Sequence, residues 1–324
     1  MTNIYQGIEG DDVAYHFSLI GSDIHNIPED VLFIPLNNHY GLHDKDFIPG
    51  VIEKSKQYRA VVFYDLVNSG DWEHIRFSNF ILQFPHPNKH YLTVNQSNFQ
   101  LKDIHMIPWD FMWNRYKAYY TEKVPEEPHL HHWAGPGAYT LPDLTLANPK
   151  KKFMSLCGRE YGYRTHLYDI VKEYDGYISN RARGEYLEQS EVVGAFQPIP
   201  NSFYLDSCLS IYVESNCIRP ELLHITEKTY DPLAKGHFVL PFSNPGTIKR
   251  IRYMGFELPD FIDYSFDQEL DPKIRFDMVV AEFHRLIELD LYQLHADHKK
   301  MFEYNQRCLH TIKYDSNLLK VLNV

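Results

Sequence analysis

Basic charge is the first thing this sequence is short of. Lys and Arg number 32 against 43 Asp and Glu, a net charge of −11 over 324 residues. Attraction to phosphate backbones needs a basic face, so the balance argues against a general nucleic-acid or anionic-membrane binder and leaves only a local basic cleft. Long apolar runs are also missing. No stretch approaches the ~20 residues of a membrane helix, and the opening MTNIYQGIEGDD is acidic where a secretory leader is basic and then apolar. A soluble, cytoplasmic protein is expected. Cysteine is scarce as well: Cys157, Cys208, Cys217 and Cys308 are too few and too scattered for a disulfide framework or a CxxC metal site. Reduced, buried thiols are the expectation. No internal repeat or low-complexity segment is evident.

What is present is ample core material, 44% hydrophobic and 15% aromatic, enough for about two domains at this length. Strand-length runs of β-branched and aromatic residues punctuate the first third: AYHFSLI (14–20), VLFIPL (31–36), AVVFYDL (60–66), HYLTV (90–94) and IHMIPW (104–109). Polar spacers and the amphipathic segment IRFSNFILQF (75–84) lie between them, a pattern that predicts strands with crossovers on a parallel sheet. From about Thr121 the texture turns proline-rich, without either hydrophobic period, so 121–151 reads as an interdomain linker between a first domain (1–120) and a second (152–324).

After the linker the alternation is clearer: KFMSLCG (152–158) as strand, YRTHLYDIVKEYD (163–175) as helix and GYISN (176–180) as strand. A hydrophobic segment, 202–215, then precedes HITEKTYDPLAKG, where Thr226 suits a helix N-cap and Gly236 its end, followed by the buried-strand run HFVLPF (237–242). SNPGT (243–247) turns into a short helix, and the tail from Asp271 to Leu322 is mostly helical, with Phe283, Leu286, Ile287, Leu289, Leu291 and Leu294 as its apolar stripe.

Two α/β halves of this kind bind ligands at the carboxyl ends of their strands. Glu227 and Lys228 stand at the predicted start of a helix, where backbone N–H groups and the dipole attract anions. A carboxylate there can accept two hydrogen bonds from a ribose diol while the adjacent ammonium neutralises phosphate, a pairing that suits a nucleotide sugar. The same pair also fits two solvated first-turn residues, since the dipole favours Glu there in any case.

The stretch SIYVESNCIRPELLHITEKTYDPLAKGHFVLPFSNPG (210–246) resembles the donor-site signature of glycosyltransferase family 10, the α1,3/4-fucosyltransferases. The matching residues are Val213, Glu214, Ser215 and Asn216, then Ile225 to Tyr230, then Leu233 to Gly236 and the strand from Phe238. Upstream, KFMSLCGREYGYRTHLYDIV (152–171) looks like the strand, loop and Arg-led helix that open the family's donor domain, with Arg164 as the best match to its phosphate-binding arginine and Arg159 as a weaker one. The resemblance covers about 100 residues, Lys152 to Tyr253. It implies a GT-B fold, two Rossmann-like α/β domains with parallel sheets facing a central cleft. It also implies inverting transfer without a bound metal, from a nucleotide diphosphate sugar, GDP-fucose first, to a glycan hydroxyl. Asn216 and Tyr230 would touch base or sugar, and Glu214, Thr226, Glu227 and Lys228 would complete the donor site. By its own residues SNPGT fits either a plain turn or a turn in which Gly246 lets backbone amides approach the donor. Arg164 and Lys228 would stabilise the departing diphosphate.

The family pattern breaks at the base. The local counterpart of its catalytic segment is YLTVNQSNF (91–99), which has Asn95, Gln96 and Ser97 but no carboxylate. Candidates elsewhere are Asp65, at the end of AVVFYDL, Asp71 and Glu73 just after it, and Asp110 after IHMIPW; the 65–73 loop is favoured because that strand end should face the cleft. His129, His131 and His132 lack the separated, oriented spacing of a catalytic zinc site, so no metal is expected. Trp109, Trp113, Tyr116, Tyr119 and Tyr120 fit core packing or stacking on an acceptor sugar. The competing functions are a viral or phage-type glycosyltransferase acting on a modified nucleobase or another acceptor, and a catalytically inactive sugar-nucleotide-binding protein.

Overall fold

The computed structural model describes residues 3–4, 29–36, 47–65, 79–93, 105–108, 141–158, 162–185, 199–220 and 222–311. The chain divides into two compact units, one mainly of residues 1–115 and the other mainly of 116–220 and 225–312. Each is an α/β unit on a wholly parallel sheet.

The first unit carries β1 (Asn3–Ile4), β2 (Val31–Leu36), α1 (Phe47–Ser55), β3 (Ala60–Asp65), β4 (Lys89–Thr93) and β5 (His105–Pro108). Its sheet runs β1-β2-β3-β4-β5. Val31 to Ile34 and Ala60 to Phe63 are fully buried, which explains their unbroken apolar runs: strands covered on both faces do not alternate. The core gathers Leu32, Ile34, Val51, Val61, Phe63, Ile81, Phe84 and Tyr91, with Phe84 edge-on to Phe63 at 4.9 Å. Of the amphipathic 75–84 segment, 79–83 form a short helix. Lys89 closes it from β4, its Nζ donating to the carbonyls of Ile81, Leu82 and Phe84 at 3.0, 3.1 and 2.8 Å. The strand expected over 14–20 lies outside the described residues.

The second unit contains β6 (Lys151–Cys157), α2 (Tyr163–Val171), β7 (Tyr177–Asn180), α3 (Asn201–Leu205), β8 (Ser207–Val213), α4 (Glu227–Ala234), β9 (Phe238–Phe242), α5 (Thr247–Tyr253), α6 (Pro272–Ile287), α7 (Leu291–Asp297) and α8 (Lys299–Thr311). The hydrophobic segment 202–215 thus resolves into a helical turn and a strand, and every residue of β8 is buried. Sheet order is β7-β6-β8-β9. The chain leaves β6 to one side to make β7, then crosses back to lay β8 on the other, so the carboxyl ends of β6 and β8 flank a topological switch point. Ligands of open α/β sheets bind in such a crevice. The described strands of the first sheet follow in chain order and have no such reversal.

Aromatic rings join helices to this sheet: Phe153 of β6 meets Phe283 of α6 at 5.0 Å, and Phe242 of β9 meets Phe276 of α6 at 5.1 Å. The expected tail stripe is buried at Phe283, Leu286, Ile287 and Leu291. The segment expected as a linker ends as part of this unit. Asn148 N donates to Leu205 O at 2.9 Å and Lys150 N to Asp206 O at 2.8 Å. Its earlier residues, 121–140, lie outside the described residues, with the three histidines. All four cysteines are buried and none is joined in a disulfide. Among the described residues no helix is long and apolar enough to cross a membrane.

Candidate functional site

The switch point is built by the loop that follows β8. Glu214 N extends the ladder by donating to Phe242 O at 2.9 Å, which fixes the residue at the strand end. The Glu214 side chain, with no exposed surface, then folds back onto the start of α4. Its Oε1 accepts from Thr226 N at 3.0 Å and Thr229 Oγ1 at 2.7 Å, and its Oε2 from Thr226 Oγ1 at 2.6 Å and Ser215 N at 3.2 Å. Tyr212 OH donates to Thr229 Oγ1 at 2.8 Å and extends the network into β8. Four donors satisfy one buried carboxylate, as a buried charge requires. Glu214, expected at the ligand, is instead a positioning residue that locks the helix start against the strand end.

Thr226 is the N-cap the sequence suggested: its Oγ1 accepts from Lys228 N at 3.3 Å. Gly236 ends α4 as expected, in the left-handed region at φ 84°, and His237 N reaches back to Pro232 O at 2.9 Å in the six-to-one bond of a Schellman motif. With both ends fixed, Glu227 and Lys228 are held in the first turn, half-buried. Lys228 Nζ donates to Glu227 Oε1 at 2.6 Å, Ser215 Oγ at 3.2 Å and Thr226 Oγ1 at 3.3 Å. From the other side Arg164 Nη2, in the first turn of α2, donates to the same Ser215 Oγ at 3.4 Å. Two cations from two helix starts therefore converge on one hydroxyl, with Glu227 as the neighbouring carboxylate.

The two helix starts differ. The N-cap of α2 is Gly162, which offers no side-chain cap and sits at φ 48°, ψ −125°, a conformation that suits glycine. A Cβ there or at Gly158 would meet nothing within 4 Å. The start of α2 thus has no side-chain cap, an arrangement that favours an anion.

Other expected donor contacts fall elsewhere. Tyr230 is fully buried in the core, its hydroxyl 3.8 Å from Met254 Sδ, because its position on α4 faces away from the helix start. Gly246 is left-handed at φ 85°, but the amides it was expected to present are taken: Asp267 Oδ1 and Oδ2 accept from Ile248 N and Lys249 N at 2.9 and 3.1 Å, and Asp267 O from Gly246 N at 2.9 Å. Burial pushes the Asp267 carboxyl up to about 6 despite those bonds. Asn216, next in the chain to Ser215, is buried with 7% exposure, and neither its Nδ2 nor its Oδ1 finds a partner among the described residues.

Arg159, Asp71, Glu73, Asp110 and Asn95 to Ser97 lie outside the described residues. Asp65 is described in its backbone as the last residue of β3, paired in register with Leu36. Ser215, the shared oxygen, and Asp267 went unassigned in the sequence; Ser215 follows Glu214 within the signature, whereas nothing local announced Asp267, 21 residues beyond Gly246. A separate cleft of about 550 Å³ is lined by Arg252, Asp263, Tyr264 and Arg285, but its arginines are engaged within the protein, Arg252 over the Tyr264 ring at 5.6 Å and Arg285 on Glu282 at 2.6 Å. Among the described residues no three His, Cys, Asp or Glu side chains are grouped to hold a metal ion.

No family model and no curated protein matches the chain, so the family 10 resemblance rests on its motif residues. Among solved structures the chain is similar to the spinosyn forosaminyltransferase SpnP, at 12% identity and a TM-score of 0.32, over 91% of this chain and 75% of that one.

Proposed function

We propose that the protein is a nucleotide-sugar-dependent glycosyltransferase whose donor diphosphate lies at the switch point of the second sheet. The observation that carries the reading is the convergence of Arg164 and Lys228 on Ser215 Oγ, beside the start of α2 and the Glu227 carboxylate. An anion bridging the two cations replaces the weak Ser215 contacts with charge-assisted hydrogen bonds. Glu227 would take the ribose diol and Asn216 a donor hydroxyl. As the bond from sugar to diphosphate breaks, Arg164 and Lys228 would face the developing negative charge, which is where preorganised cations accelerate a reaction. The fucosyltransferase-like signature supports fucose from GDP-fucose as the first donor, inversion without a metal, and a glycan hydroxyl as acceptor. The base that deprotonates the acceptor would come from the first unit, among Asp65, Asp71, Glu73 and Asp110.

Thermal unfolding of the wild type and of Glu227→Ala against GDP, UDP, ADP and their sugars tests this. A ligand at 100 times its Kd stabilises by about 2.7 kcal/mol, a midpoint shift of roughly 5–10 °C. A guanine-selective shift that Glu227→Ala abolishes, with GDP released from GDP-fucose in the presence of acceptor, supports the reading. A shift without turnover under any acceptor assigns an inactive sugar-nucleotide-binding protein instead, the reading favoured by the carboxylate missing near Asn95. No shift with any nucleotide overturns both.

A further inference from the structure

A buried polar group without a partner is a cost that folding alone does not repay, so its position is informative. Three asparagines of the second unit carry such groups. Neither Nδ2 nor Oδ1 of Asn180 or Asn216 finds a hydrogen-bond partner among the described residues, nor does Oδ1 of Asn244, whose Nδ2 donates to Arg219 O at 2.7 Å. Asn180 and Asn244 have no exposed surface and Asn216 has 7%. All three stand at one edge of the sheet. Asn180 is the last residue of β7, in register with Cys157 at the end of β6; Asn216 follows the end of β8 and Asn244 the end of β9. With strands about 4.8 Å apart, the order β7-β6-β8-β9 sets the Asn180 and Asn244 flanks ~14 Å from each other, with the Arg164 and Lys228 pair between them.

Asn180 is the least explained by folding. Its backbone is fixed on both sides by Glu185, which accepts from its N–H and donates to its carbonyl, each at 3.0 Å. Leucine has the same branched shape and would fill the position without stranding a donor and an acceptor. A carboxamide there presents the two side by side, the complement of any ligand edge with one acceptor and one donor.

We propose that Asn180 is a ligand-binding residue, its carboxamide hydrogen-bonding a neutral donor–acceptor edge of the molecule whose phosphates lie at Arg164 and Lys228. This rests on the nucleotide-sugar reading and adds an orientation to it: the charged centre lies at the switch point, and a neutral polar end reaches over β6 to β7. Such an edge belongs to a nucleobase or to the vicinal hydroxyls of the sugar.

The test is Asn180→Leu, with Tm measured without ligand and affinities measured by calorimetry for inorganic diphosphate, GDP, UDP and GDP-fucose. The expected result is a Tm equal to or about 2 °C above the wild type, diphosphate affinity within two-fold, and a loss of roughly ten-fold for a larger ligand. A loss already present with GDP or UDP assigns the nucleoside; a loss confined to GDP-fucose assigns the transferred sugar. Asn180→Ala, which removes donor and acceptor together, should show the same loss. A lower Tm with every affinity unchanged makes Asn180 structural and overturns the proposal, as does an equal loss for inorganic diphosphate. A wild type that binds neither diphosphate nor nucleotide refutes the functional reading itself, whereas a wild type that binds while both variants match it refutes only the role of Asn180.

Discussion

Glu214→Gln separates a positioning residue from a ligand contact. Glutamine has the same shape but only one acceptor oxygen. Each oxygen of Glu214 holds a backbone N–H, Ser215 N on Oε2 at 3.2 Å and Thr226 N on Oε1 at 3.0 Å. The threonine hydroxyls can rotate; the backbone donors cannot. Whichever way the amide turns, its NH2 group faces a backbone N–H in a place with no exposed surface. One hydrogen bond to a charged group, about 1.5–3 kcal/mol, is lost, and a buried donor left unsatisfied adds about 1–3 kcal/mol. A destabilisation of about 3–5 kcal/mol corresponds to a fall in Tm of roughly 6–15 °C, read by circular dichroism at neutral pH. Glu227→Gln is the contrast. Its side chain is 33% exposed, its ion pair with Lys228 is 24% exposed on the other side, and exposed pairs contribute about 0–1 kcal/mol. Tm should hold within about 3 °C while nucleotide affinity falls. A Glu214→Gln protein that melts within about 2 °C of the wild type would refute the view that this carboxylate holds the site together.

Lys228→Ala should weaken nucleotide binding about 10- to 100-fold, the worth of one charge-assisted bond, with a shallower salt dependence; calorimetry at two ionic strengths reads both. Gly236→Ala should cost more stability than Gly246→Ala. Both glycines are left-handed, at φ 84° and 85°, but a Cβ at Gly236 would lie 2.7 Å from Leu144 Cδ2 while one at Gly246 meets nothing within 4 Å. Equal losses of Tm would contradict this. Acid should destabilise the fold through His237, whose Nε2–H donates to Tyr204 O at 2.7 Å while Nδ1 accepts from Ser210 Oγ at 2.8 Å. Burial pushes this imidazole down from 6.5 to about 3. Between those values only the unfolded chain takes the proton, so stability present above pH 6.5 is lost as pH falls, by about 1.4 kcal/mol per unit. Asp267, raised from 3.8 to about 6, acts with the opposite sign, its contribution present below pH 3.8 and lost as pH rises through 6. His237→Gln, which keeps the Nε2 hydrogen bond to Tyr204 O without a titratable ring, should flatten the acid side of a Tm-against-pH curve; a variant as acid-sensitive as the wild type would contradict the assignment.

The strands were legible because buried parallel strands write themselves as apolar runs, and VLFIPL, AVVFYD and FVLPF became β2, β3 and β9 nearly residue for residue. The first helix was not, because Pro49 and Gly50 in FIPGVIEKS have low helix propensity, although Val51 and Ser55 face inward at helical spacing. At the site, the N-cap Thr226 and the first-turn Glu227 and Lys228 followed from local rules. The roles of Glu214, Tyr230 and Gly246 did not, because each depends on a distant partner: a carboxylate folding back across 12 residues, a core behind the helix, and Asp267 arriving at an amide cluster from another loop. Asn180 stands out only once the strand order is known.

The proposed donor site stands or falls on whether the carboxyl-end crevice of the second sheet holds the diphosphate of a nucleotide between Arg164 and Lys228. Calorimetric titration of GDP and UDP into the wild type, Arg164→Ala and Lys228→Ala tests it most directly. One site is expected in the wild type, weakened at least about ten-fold by either substitution and further by both, with Tm kept within about 3 °C. Wild-type affinity unchanged in the double variant would place the nucleotide elsewhere and refute this donor site.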